Sequence, residues 1–146
     1  MNVKDYLNQG RLLDQRINYN LRRVRELRAG MDGISSPRIR EDKVRSTPDG
    51  DPAYVKILLR ISGTEERIDR EIDLLADLRN QIDETIRTVD RDDYQMLLFY
   101  RYIENRTWKD IGDELGIDRS TAKRWHRDAL SRVILPENPI VIRETR

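Results

Sequence analysis

The residues of this chain best suited to chemistry are cations. Between Arg119 and Arg132 the sequence sets Arg119, Lys123, Arg124, Arg127 and Arg132 against one carboxylate, Asp128. At helical periodicity Arg119, Ser120, Lys123, Arg124 and Arg127 share a face opposite Ala122, Trp125, Ala129 and Val133. Guanidinium and ammonium groups displayed this way bind phosphate oxygens, and near a helix N-terminus they reach base edges in a major groove. This is a chemistry of binding, not of bond-making. The competing reading is an ordinary helical hairpin whose solvated face is basic.

The elements that must position this face read as a helix-turn-helix over residues 107–130. Trp108, Ile111 and Leu115 share one face of a first short helix, and Thr107 is placed to cap it. Gly112 lies where a second helix crosses closely, and Gly116 can take the positive φ that ends a helix. Ile117 plugs the corner, and Asp118 caps the next helix, expected over 119–132. The first helix carries Asp110, Asp113 and Glu114, so acid lies beside base. Asp90 or Asp92 starts a preceding helix with Tyr94, Leu97, Leu98 and Tyr102 inward and Ile103 at its end. Residues 90–135 are therefore expected to form a three-helix unit anchored by Trp108 and Trp125.

The remainder is expected to be all-α: a long antiparallel helical hairpin, or coiled coil, over residues 1–89. Residues 3–28 repeat Val3, Tyr6, Leu7, Leu13, Ile17, Leu21, Val24 and Leu27 at a spacing near 3.5, with Gly10 and Asn20 as soft places. Gly30 and Gly33 are expected to end that helix. Residues 30–53 read as a break made basic by Arg38, Arg40, Lys43 and Arg45, either a linker or a DNA-contacting arm. A second stripe runs through Tyr54, Ile57, Leu58, Ile61, Ile68, Ile72, Leu75, Leu78, Ile82, Ile86 and Val89, with a kink or new start expected at Gly63-Thr64. The tail, 136–146, holds the strand-like Ile140-Val141-Ile142, which can add to another chain or clamp back on the hairpin; fraying is the default.

Net charge is +1, but residues 1–50 carry 11 basic and 7 acidic groups while residues 51–106 carry 9 and 13. The arginine face of the first helix, Arg11, Arg16, Arg22, Arg23, Arg25 and Arg28, thus reads as a solvated face that can also contact DNA flanks or meet the acids of the second helix. With no cysteine, disulfides, thiolate metal sites and cysteine nucleophiles are excluded. His126 is the single histidine, which leaves a packing role or one phosphate contact. Gly30-Met31-Asp32-Gly33 lacks the lysine of a phosphate-cradling loop, and Asp90, Asp92 and Asp93 read as helix-start carboxylates before a metal site. No cofactor, metal or enzymatic activity is expected. No apolar run suits a membrane span or a signal peptide, so Asn105-Arg106-Thr107 reads as a chance sequon and the expected location is the cytosol.

The string YQMLLFYRYIENRTWKDIGDELGIDRSTAKRWHRDAL, residues 94–130, resembles region four of bacterial sigma factors and its phage relatives. The whole chain also resembles phage-encoded transcriptional regulators of the RinA and ArpU type, whose typical opening is present as YLNQGRLLDQRI at residues 6–17. The resemblance implies a helical N-terminal part ahead of a sigma-like DNA-binding end, acting on late or packaging genes in the bacterial cytosol or nucleoid. It carries over Arg119, Ser120, Thr121, Lys123, Arg124 and Arg127 as DNA readers. The chain has no room for the other sigma regions, so an activator is expected in preference to an initiation factor. Expected partners are double-stranded DNA, bacterial RNA polymerase, and a second or further copy of the chain. A small terminase-like DNA-packaging subunit, assembled as a ring, and a polymerase-binding module without DNA affinity are the alternatives.

Overall fold

The computed structural model describes residues 1–34 and 52–142. Its elements are helical: α1 (Val3–Ile34), α2 (Ala53–Ile86), α3 (Asp92–Leu98), a π-helical segment (Phe99–Ile103), α4 (Trp108–Leu115) and α5 (Arg119–Arg132). The expected all-α architecture, a long antiparallel hairpin followed by a three-helix unit, is what the chain adopts. It divides into two compact units, Met1–Asp14 with Leu74–Arg146, and Gln15–Asp73.

In the second unit the later part of α1 runs antiparallel to the earlier part of α2. Ile17, Val24, Ile61 and Ile68 are buried there, as the stripes require. Asn20 is no soft place: it is buried and donates to Glu71 Oε2 at 3.2 Å. Arg28 pairs with Glu65, an instance of the expected charge complementarity. Three expectations fail here. Helix α1 passes through Gly30 and Gly33 to Ile34, because a glycine inside a helix costs only about 1 kcal/mol and stops nothing without a left-handed turn. Helix α2 likewise continues through Gly63-Thr64 without a new start. Leu21, Tyr54, Leu58 and Ile72, assigned to the stripes, remain exposed. A two-helix seam covers only a narrow strip of each helix, so residues on its flanks keep contact with solvent. Of the expected break at 30–53, residues 35–51, with Arg38, Arg40, Lys43 and Arg45, lie outside the described residues.

The first unit gathers the start of α1, the end of α2 and α3 to α5 around a closed core. Tyr6, Leu7, Leu13, Leu78, Ile82, Ile86, Val89, Leu97, Leu98 and Ile111 are all under 2% exposed. Tyr6 donates to Gln81 Oε1 at 2.7 Å, and burial raises its phenol pKa. Asp14 pairs with Arg79 at 3.6 Å. The tail does not fray before Ile142; it clamps back on the hairpin. Gln9 donates to the carbonyl of Ile140 (2.8 Å) and accepts from the amide of Ile142 (2.7 Å). Gln81 accepts from the amide of Ile140 (2.8 Å) and donates to the carbonyl of Asn138 (3.0 Å). Two side-chain amides thus satisfy the backbone groups that a neighbouring strand would otherwise pair. Residues 143–146 lie outside the described residues.

Candidate nucleic-acid interface

The turn and the two helices that carry the cationic face are set by local chemistry. Thr107 caps α4 by accepting from the Asp110 amide at 3.2 Å, and Asp118 caps α5 by accepting from the Thr121 amide at 2.7 Å. Hydrogen bonding from Thr121, its side chain first and its amide second, holds the Asp118 carboxyl below its ordinary pKa. Gly116 takes φ 69°, the left-handed end of α4. Gly112 is required by a backbone contact: a Cβ there would lie 2.7 Å from the Ile117 carbonyl oxygen. The close approach is therefore to the turn itself, not to a crossing helix as expected. The amide of Ile117 in turn donates to the Gly112 carbonyl at 2.9 Å.

Helix α3 begins at Asp92 after Arg91, which makes no side-chain cap. Asp92 and Asp93 lie in the first turn of α3, as expected of helix-start carboxylates, and Asp93 Oδ1 accepts from the Tyr94 amide at 2.9 Å. Asp93 is engaged by Arg91 at 2.6 Å, and Asp90 by Arg132 at 3.0 Å, and both carboxyl pKa values are lowered primarily by these arginines. Arg132 is thereby turned toward the three-helix core, its guanidinium 5.5 Å from the Tyr94 ring. The π-helical segment ends with the Glu104 amide donating to the Phe99 carbonyl at 3.0 Å. Such segments are rare and concentrate at functional places.

The inner face of α5 is aromatic. Trp125 meets Tyr94 with ring centroids 5.7 Å apart, and Tyr94 donates to Asp128 at 3.3 Å. His126 lies edge-on to Trp108 (4.7 Å) and 2.6 Å from the hydroxyl of Tyr102. Burial first, then Lys4 and Arg101, pushes the His126 pKa down to about 4; burial pushes Tyr102 up to about 12. Both are neutral near pH 7, so His126 packs as a satisfied neutral ring, not as a cation for phosphate.

Outward, Arg119, Ser120, Lys123, Arg124 and Arg127 are exposed, while Thr121 is half-buried. None of those five side chains makes a hydrogen bond or salt bridge among the described residues, whereas Arg79, Arg87, Arg91, Arg106 and Arg132 of the same unit are all paired with carboxylates. The six residues singled out from the sequence are brought together on one helix; Thr121 contributes through its backbone amide to the cap.

The structure adds neighbours that sequence reasoning missed. Lys4 and Asn8 of α1, Arg101 and Tyr102 of the π-helical segment, and Trp108 of α4 line a cleft of about 460 Å³ with Lys123, His126, Arg127 and Leu130. No local pattern signals this, because Lys4 and Lys123 belong to opposite ends of the chain. Among the described residues no cluster of acidic, histidine or cysteine side chains is suited to a metal ion, and no helix is long and apolar enough to cross a membrane.

Fold and site together describe an all-α protein in which α4, a tight turn and α5 present a cationic face that is unpaired among the described residues. The chain belongs to the family described as "Protein of unknown function (DUF722)", whose profile matches residues 54–134, from α2 to just past α5. No curated protein and no solved structure matches it.

Proposed function

We propose that the chain is a sequence-specific DNA-binding transcription regulator of phage or prophage genes, with α5 entering the major groove. The carrying observation is the unpaired set Arg119, Lys123, Arg124 and Arg127 on the outer face of a helix capped at its start by Asp118. Cations with no hydrogen bond or salt bridge among the described residues, grouped on one face, provide the charge that counterion release on duplex DNA requires. Arg119 and Ser120 near the helix start, with Lys123 and Arg124, read bases; Arg127 contacts phosphate. The resemblance to sigma region four and to RinA and ArpU regulators supports the same assignment, with activation as the direction, the bacterial cytosol as the place, and RNA polymerase and further copies of the chain as partners.

The test is binding to duplexes from the protein's own genomic neighbourhood across a salt series, beside scrambled DNA. Specific binding that weakens steeply with salt is expected. Arg124→Ala should then lose about 1–3 kcal/mol on the specific site and little on scrambled DNA. Absence of binding at low salt would overturn the reading.

A further inference from the structure

Among the described residues the cleft beside α5 is lined by four cations, Lys4, Arg101, Lys123 and Arg127, and by no carboxylate. Its remaining lining is Asn8, an amide donor, and the uncharged Tyr102, Trp108, His126 and Leu130. We propose that this cleft binds phosphoryl oxygens, with Lys4 of α1 and Arg101 joining Lys123 and Arg127 of α5 around one phosphate group or two successive ones. For a duplex backbone as the source of phosphate, the proposal rests on the DNA-binding reading above. The free phosphate of a small ligand presents the same chemistry.

The cations come from three separate segments, and the fold brings them together: a Cβ on Gly10 of α1 would lie 3.7 Å from the Tyr102 carbonyl oxygen, so α1 runs close beside the π-helical segment. Like charges collected without a counter-charge oppose folding, and a bound anion removes that cost. The positive field around the cleft shows in direction: after burial, nearby Arg11 lowers the pKa of Arg101, and Lys4 and Arg101 lower that of His126. Arg101 is also held in place before any ligand arrives. Its guanidinium donates to the Arg106 carbonyl at 3.0 Å and lies 4.5 Å from the centre of the Trp108 ring, leaving further N–H groups for an oxyanion. Finally, the volume falls in the range of ligand clefts, and Lys123 and Arg127, one turn apart on α5, connect it to the proposed reading face. In this arrangement the start of α1 belongs to the nucleic-acid interface, and Lys123 serves phosphate in place of a base.

The experiment uses the full chain and two readouts. His126 is the single histidine, so its imidazole NMR signal needs no assignment and reports an anion in the cleft by a rise of its pKa from about 4. The first arm titrates pyrophosphate against sodium chloride of matched ionic strength. The second arm measures scrambled and specific duplex binding across salt for the native chain, Lys4→Ala and Arg101→Ala. Lys4 is exposed on the first turn of α1, so its removal leaves the core intact if Arg101→Ala does not fold. A backbone clamp predicts that each variant weakens both duplexes alike and lowers the slope of log affinity against log salt by about 1. A site for a small phosphorylated ligand predicts that pyrophosphate raises the His126 pKa, and that Lys4→Ala weakens pyrophosphate about tenfold or more. Either result supports the proposal and names the source. An unmoved His126 together with an unchanged salt slope in Lys4→Ala overturns it, even where the native chain binds its site well. If no duplex binds at any salt, the DNA reading fails, and the pyrophosphate arm alone decides the cleft.

Discussion

The two compact units bury their apolar residues to different degrees. Among the described residues, the ten largest fully buried side chains, from Tyr6 to Ile111, all belong to the unit containing α3, α4 and α5. Among the described residues of the other unit the best-buried apolar ones, Ile61, Ile17, Ile68 and Val24, are 4%, 5%, 5% and 8% exposed, and the buried pair Asn20–Glu71 is polar. Two helices side by side screen one stripe each, whereas further helices placed on that stripe close it from water. Periodicity alone does not reveal which segment has a third layer.

The largest expected effect separates the units directly. Leu78→Ala and Ile82→Ala, in the closed core, should each cost about 3–5 kcal/mol in urea unfolding, against about 1–2 kcal/mol for Val24→Ala or Ile68→Ala. Equal losses would break the comparison. Next comes Gly112→Ala, whose new Cβ meets a backbone oxygen that cannot rotate aside; a loss of about 1–3 kcal/mol is expected. Acid should unsettle the first unit. The folded pKa of His126, about 4, lies below an unfolded value near 6.5, so the contribution of the neutral ring is complete above about pH 6.5 and is lost as pH falls toward 4. His126→Gln should remove that slope from a urea series run against pH.

In the second unit, Asn20→Leu should cost about 1–2 kcal/mol by stranding the Glu71 carboxylate, while adding Glu71→Leu should recover most of it. Thermal melts of the two variants would measure how strongly this buried pair is coupled. The smallest effect has the opposite sign. Gly30→Ala and Gly63→Ala meet nothing within 4 Å and lie inside helices, so each should stabilise by about 0.5–1 kcal/mol. A loss at either position would show that those glycines do more than interrupt a stripe.

The same contrast explains what could be read in advance. Thr107, Asp118 and Gly116 were legible because a cap or a left-handed turn is decided within three or four residues. The cationic face was legible for a similar reason, since helical spacing alone places Arg119, Lys123 and Arg127 together. Helix ends at Gly30 and Thr64 were misread because low propensity is a weak local penalty that pairing along the hairpin overrides. Leu21, Tyr54, Leu58 and Ile72 were misread because a spacing rule assigns a face without counting the layers that cover it.

The sequence by itself determined the all-α class, the two long stripes, the capped turn and the cations facing outward from α5, because each depends on covalent periodicity or on contacts within one turn of chain. The tertiary structure decided the rest. It closed one core and left the other thin, held Ile140 and Ile142 with Gln9 and Gln81, and brought Lys4 and Arg101 to Lys123 and Arg127. Those outcomes depend on which helices meet, and that is settled by the burial of whole faces, not by any residue's immediate neighbours.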